Sequence, residues 1–136
     1  MNDPDITQLL IGRIKDQCPG FATVEEAWFA APIDDFDAAT PAVLPYLADD
    51  GAAGEVETLR PKQKISMTYG VWLVCKRAEF KAQRQALREA LFGYGFSEMH
   101  DPIAYRGGET TDIRGDLIWW REFWTVGTWL SKSPNA

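Results

Sequence analysis

The sequence has one histidine and two cysteines among its 136 residues, and this scarcity removes most catalytic and metal-binding chemistry. Cys18 and Cys75 form neither a CxxC pair nor any metal-ligand spacing, so we expect two buried free thiols. P-loop, GxGxxG, HExxH and GxSxG patterns are all missing. We therefore expect no catalytic residue, no cofactor and no metal site.

The single histidine, His100, lies between Met99 and Asp101 in the loop predicted after the second helix. Without a second histidine or a nucleophile pattern, we expect a loop residue and not a general base. The alternative from a different class is a small cytoplasmic enzyme that uses His100 with a nearby carboxylate such as Asp101.

Long apolar runs are also missing. No 18 consecutive apolar residues occur, and the N-terminus is acidic, which favours neither a membrane span nor a signal peptide. With 46% hydrophobic and 25% charged residues, the composition is that of one ordinary globular domain over residues 1–136. We expect it to be made in a cytoplasm.

Charge is unevenly distributed along the chain. The net charge of −6 argues against nucleic-acid binding. Basic and aromatic residues nevertheless alternate around 69–77, so a module that binds single-stranded nucleic acid is kept as an alternative. Residues 60–88 contain eight basic residues and one acidic residue, whereas the remainder carries 6 basic and 19 acidic residues. Such a chain can be bipolar in space, as a subunit that associates head to tail would be.

Two sets of residues are the candidate halves of a subunit interface. Four basic residues of the second predicted helix are spaced so that they form a ridge: Arg77, Lys81, Arg84 and Arg88. The acidic candidates lie in two loops: Asp34, Asp35 and Asp37 in the first, and Asp49, Asp50 and Glu55 in the second. The acidic pairs do not match EF-hand spacing, so solvated loops are favoured over a cation site.

The strongest structural signal is residues 116–130, which hold four of the six tryptophans beside Ile, Val, Phe and Thr. These residue types predict a long strand. Both of its faces are apolar, so layers should cover it above and below. A second long strand is predicted at 63–76, with one apolar face and one that changes from polar to apolar along its length.

Periodicity and turn residues predict the other elements. Helices are expected at 7–17 and 78–94, strands at 22–30, 42–48 and 102–106, and a glycine-containing turn at 107–112. Pro45 makes its strand an edge or bulged one. Phe36 anchors either one helical turn or an acidic loop. Residues 49–61 are read as an arm that orders against a neighbouring subunit, or as a disordered loop.

These elements predict an α+β fold, with a mostly antiparallel or mixed sheet of four to five strands and two main helices. Two helices leave part of the second sheet face as a candidate for subunit contact.

The order of features resembles the tail terminator (tail completion) proteins of tailed bacteriophages. The similar segments are the opening helix with Ile6–Leu10, the strand 63–76 leading into Phe80–Leu91, Phe92–Phe96, Ile103–Gly108 and the closing Ile118–Phe123. The resemblance implies a structural virion protein that forms a homohexameric ring at the head-proximal end of the tail tube. There it would stop tube polymerisation and join the tail to the head connector.

The partners that the resemblance implies are other copies of the chain, the tail tube protein, the head–tail connector or neck protein, and the sheath of a sheathed tail. Neither a membrane nor a specific nucleic-acid sequence is among them. The expected location is the tail and neck of the virion, after assembly in the host bacterial cytoplasm. Another phage neck or baseplate component is the nearest alternative.

Overall fold

The computed structural model describes residues 3–132, and the other residues of the expected domain lie outside this range. The helices are α1 (Thr7–Gln17) and α2 (Phe80–Leu91). The strands are β1 (Thr23–Val24), β2 (Ala42–Ala52), β3 (Lys62–Lys76), β4 (Ala104–Arg114) and β5 (Leu117–Ser131). They form one five-stranded sheet in the order β1-β2-β3-β5-β4, in which β1 and β2 are parallel and all other neighbours are antiparallel. The α+β class is confirmed.

The two longest strands, β3 and β5, pair along their whole lengths, from Lys62 opposite Ser131 to Lys76 opposite Leu117. Both predicted strands are confirmed to within one residue at each end. The tryptophan-rich β5 is flanked by β3 and β4, as expected for a strand that is apolar on both faces.

Both helices pack on the same side of the sheet, which we call the helix face. α1 lies over the β1 and β2 side, whereas α2 lies over β5 and β4 through side-chain contacts such as Phe80 with Trp120. The core between helices and sheet contains fully buried side chains, among them Leu10, Ile14, Tyr69, Leu73, Leu87, Leu91 and Trp124.

A loop covers part of the opposite face. The predicted strand at 22–30 is wrong beyond Val24, although Glu25 and Ala27 still donate backbone hydrogen bonds to Val43 and Pro45 of β2. The segment then crosses this face to cover two fully buried indoles, Trp72 and Trp119. Phe36 packs edge-on against Trp119 with ring centroids 4.9 Å apart. It therefore anchors a loop and not a helical turn. Trp72 Nε1 donates to the backbone oxygen of Phe29 at 3.2 Å.

Toward the start of β3 the opposite face is wetter. Ser66, Thr68 and Thr125 are partly exposed, and Trp129 lies beside the Lys62 ammonium, 4.8 Å from the ring centroid. The predicted change from a polar to an apolar surface along this side of β3 is therefore confirmed.

β2 is longer than predicted and runs through Asp49 and Asp50 to Ala52. The strand is bulged, but the register shifts between Leu47 and Asp49 and not at Pro45, which lies in regular register opposite Val71. Sequence polarity alone suggested a loop from Asp49, but the long partner strand β3 continues the hydrogen-bonded ladder. Only residues 53–61 connect the two strands, and we call this segment the arm.

α2 is shorter than predicted. A 3-10 turn, Arg77–Glu79, precedes it, and it ends at Leu91. Gly93 follows with φ 75°, a left-handed conformation that suits glycine, and its N–H donates to the Ile103 carbonyl at 2.9 Å. The chain therefore turns back to the sheet three residues earlier than the apolar stripe suggested.

The predicted short strand at 102–106 is confirmed from Ala104 onward, but the predicted turn at 107–112 is wrong, since β4 continues to Arg114. The turn lies instead at Gly115 and Asp116, where Gly115 has φ 60°. Gly108 serves packing, because a side chain there would overlap the Trp120 ring of β5.

Candidate assembly surfaces

The basic ridge, defined as Arg77, Lys81, Arg84 and Arg88, lies on the 3-10 turn and α2 as predicted. Arg77 and Lys81 are exposed, and neither has an ion-pair partner among residues 3–132. Both charges are therefore available to a partner molecule.

Arg84 and Arg88 are engaged inside the subunit. The Arg84 guanidinium lies over the Phe80 and Trp120 rings, 5.0 and 5.3 Å from their centroids. Arg88 Nε donates to Glu122 Oε2 at 2.9 Å, and its Nη2 donates to the Tyr105 hydroxyl at 2.9 Å. Arg84 and Arg88 therefore hold α2 on the sheet, a role that helical spacing alone could not reveal.

Glu122 is a fully buried carboxylate in the middle of β5, with 0% of its surface exposed. Its Oε2 accepts from Arg88 and also from Trp120 Nε1 at 3.1 Å. Burial lowers the pKa of Arg88, but the hydrogen bond and charge of Glu122 raise it by more, so that the pKa lies above its ordinary value. Arg88 therefore compensates a buried negative charge.

The structure places the acidic candidates for the subunit interface in two separate regions. Asp34 lies beside Arg114, with Oδ1 3.4 Å from Nη1, on the face that the loop covers. Asp35 and Asp37 are exposed nearby. Asp49 and Asp50 lie on the second half of β2, where both are exposed.

Asp50 belongs to a cleft of about 340 Å³ that also contains Asp3 and Asp5. Its floor is apolar and consists of Leu47, Met67 and Leu130, with Pro4 at the side. We call Asp3, Asp5, Asp49 and Asp50 the acidic patch, in which Asp49 pairs with Thr68 and therefore points to the other side of β2 from Asp50. From the sequence, Asp3 and Asp5 are only part of an acidic N-terminus, because nothing local reveals that α1 begins beside β2.

A buried hydrogen-bond network fixes Asp5 at the start of α1. Its Oδ1 accepts from the Thr7 backbone N–H at 3.0 Å and from the Tyr69 hydroxyl at 2.8 Å. The Tyr69 oxygen in turn accepts from the Ile6 N–H at 2.9 Å. Burial is the main cause that raises the pKa of Tyr69, and the Asp5 charge raises it further. Tyr69 therefore stays protonated and ties the acidic patch to the sheet.

The basic ridge and the acidic patch lie on different elements of the subunit. The ridge follows the 3-10 turn and α2, which contacts β3 and reaches β5 through the Arg88–Glu122 pair, whereas the patch lies at β2 and the start of α1. This separation suits a heterologous contact, in which one side of a subunit meets the other side of the next.

His100 joins the loop after α2 to the N-terminal segment. Its Nδ1 lies 2.6 Å from the Ser97 hydroxyl, and its Nε2 lies 2.8 Å from the Pro4 carbonyl oxygen. Asp101 pairs with Lys64 at 2.7 Å and makes no described contact with the imidazole. The arrangement that the enzyme alternative requires is therefore not assembled in residues 3–132.

Both cysteines are buried free thiols, as predicted. Burial raises the pKa of Cys18, and burial followed by the charge of Glu79 raises that of Cys75 to about 11. In the described part of the chain, no three His, Cys, Asp or Glu side chains group where they could hold a metal ion. None of the helices in residues 3–132 is long and apolar enough to cross a membrane.

These observations define a small α+β protein whose distinctive chemistry lies in its surfaces. Comparison with known proteins places it more closely: the family model for "Phage tail terminator protein" matches residues 1–134. The chain belongs to the phage tail terminator family, and is therefore a structural protein of a virion tail and not a member of an enzyme class.

The fold is also similar to that of a chain in a solved structure described as the virion of a native gene transfer agent particle. The TM-score is 0.63 at 12% sequence identity, over 92% of this chain and 95% of that chain. At this identity the similarity shows a shared fold. No curated protein sequence matches this chain.

Proposed function

We propose that residues 1–136 act as one tail-terminator domain, and that six copies form a closed ring at the head-proximal end of the tail tube. The ring stops tube polymerisation and presents a surface to the head connector. The family match over nearly the whole chain is the observation that carries this proposal. It also favours a tail terminator over another neck or baseplate component.

The ring contact joins the basic ridge of one subunit to the acidic patch of the next. Arg77 and Lys81 are exposed and unpaired among the described residues, and so are Asp49 and Asp50. Complementary charges orient two surfaces before they dock and disfavour wrong registers. Asp34 and Asp35 are the second acidic candidates, although Arg114 already neutralises part of the charge there.

The other partners lie above and below the ring. The tail tube protein contacts one side, the connector or neck protein contacts the other, and in a sheathed tail the sheath contacts the ring as well. We propose that assembly takes place in the host bacterial cytoplasm.

The experiment that tests this function is electron microscopy of tails assembled with and without the protein. With it, we expect tubes of one length that end in a ring. Without it, we expect tubes that continue to grow and fail to join heads. Tubes of normal length and normal joining in its absence would contradict the proposal.

A further inference from the structure

A cleft of about 450 Å³ opens between α2 and the edge of the sheet. Its walls are Gln85, Arg88 and Glu89 on the helix side, Tyr105 on β4, and Trp124 on β5. Phe92, which follows the end of α2, also lines the cleft and is 71% exposed. An exposed phenylalanine beside an apolar cleft is typical of a surface that a partner covers.

The base of this cleft contains a polar atom whose hydrogen-bonding capacity is not used. Trp124 lines the cleft from below and is fully buried, and its Nε1 has no partner among residues 3–132. Buried polar groups are normally paired, and an unpaired one destabilises the protein. A ligand with a carbonyl oxygen would complete this site.

The arm presents exposed apolar side chains, which are of the kind that can fill this cleft. Leu59 at its turn is 98% exposed, and Val56 is 57% exposed. The arm is held in shape at its base, where Glu57 N donates to the Lys62 carbonyl at 2.9 Å and the Glu57 carboxylate pairs with Lys62 at 3.4 Å. A structured hairpin turn that presents an apolar side chain to solvent is suited to insertion into a cleft.

We infer that the arm of one subunit docks in the α2–β4 cleft of a second copy, with Leu59 inserted beside Phe92 and Tyr105. A backbone carbonyl of the arm turn accepts from Trp124 Nε1. The charges match, since the arm carries Arg60 and the cleft carries the exposed Glu89. This docking rests on the proposed ring and names a contact within it.

The positions of the arm and the cleft within the subunit favour the arm of a second copy as the segment that fills the cleft. The arm projects beyond the β2–β3 end of the sheet, whereas the cleft lies on its β4 side, so each subunit offers one of each to different neighbours. Pairing of edge strands is a poorer route, because β4 carries register shifts at Tyr105/Gly107 and at Thr110/Asp112. Bulges of this kind protect an edge from strand addition.

Cysteine cross-linking tests the docking in the full-length chain. The native cysteines are buried, so a Leu59→Cys, Phe92→Cys double variant places two accessible thiols on the two features. Under mild oxidation we expect covalent dimers through hexamers on a denaturing gel. Leu59→Cys with Lys15→Cys is the matched control, since Lys15 is exposed on α1, outside the cleft, and should give no such ladder.

A Leu59→Asp variant provides an independent readout. Because Leu59 is 98% exposed in the subunit, the variant should fold with unchanged stability, while association weakens about tenfold or more. A sixfold mass without the cross-linked ladder would overturn the docking and leave the ring intact. A chain that never associates would overturn both.

Discussion

Replacement of Arg88 by alanine is expected to lower the free energy of unfolding by about 3 kcal/mol, the lower end of the range for removing one partner of a buried ion pair, because the Arg88 side chain is 33% exposed. The Glu122 carboxylate, 0% exposed, would lose the only cation that lies within hydrogen-bonding distance of it among residues 3–132, and the Tyr105 hydroxyl would lose its donor. Urea denaturation followed by tryptophan fluorescence measures this loss.

Arg84→Ala is the matched control, one helical turn earlier on the same ridge. Arg84 stacks on Phe80 and Trp120 but pairs with no described carboxylate, so its loss should cost about 1 kcal/mol. A double variant that also replaces the acid, Arg88→Met with Glu122→Leu, should recover most of the stability lost in Arg88→Ala. Equal effects of Arg84→Ala and Arg88→Ala would contradict the role assigned to this pair.

Charge reversal at Lys81 is expected to weaken ring formation about tenfold or more, since it replaces an attraction at each contact by a repulsion of about 1–2 kcal/mol. Lys81 is exposed and lies in the first turn of α2, where a glutamate is favourable for the helix. The Lys81→Glu subunit should therefore fold normally. Analytical ultracentrifugation over a concentration range measures the change.

Lys15→Glu is the control for this reversal, because Lys15 is an exposed lysine in the last turn of α1 and belongs to neither charged surface. Combining Lys81→Glu with Asp49→Lys and Asp50→Lys should restore association in part, as each contact regains opposite charges. A Lys81→Glu protein that associates as well as the Lys15→Glu protein would place the basic ridge outside the interface. Arg88 is unsuitable for this test, because its reversal would also break the buried pair.

The elements that the sequence predicts best are those whose signal is local. β3 and β5 follow from residue type and alternation, and their ends are correct to within one residue. The basic ridge follows from helical spacing, and Phe36 was correctly identified as an anchor because it is the one large apolar residue in an acidic segment.

The elements that it predicts poorly depend on distant partners. The Gly107-Gly108 pair suggests a turn, yet the packing of Trp120 against Gly108 keeps it within a strand. Asp49 and Asp50 suggest a loop, yet β3 holds them in the sheet. Arg84 and Arg88 have the same spacing signal as Lys81, and only the fold reveals that Glu122 lies beneath Arg88.

The proximity of Asp3, Asp5 and Asp50 is likewise a product of the fold, since the start of α1 and the second half of β2 are far apart in sequence. The same holds for the cleft beside α2, to which residues of α2, β4 and β5 contribute. Surfaces of this kind can be inferred from sequence as charged or apolar segments, but their shape and partners cannot.

The central claim is a closed sixfold ring held in part by charge, and the most direct test is the solution mass by light scattering, over a range of concentration at low and moderate salt. The account predicts a mass six times that of the 15.3 kDa subunit, which falls toward the subunit mass as salt screens the contacts. A stable closed dimer, or a monomer at every concentration, would contradict it.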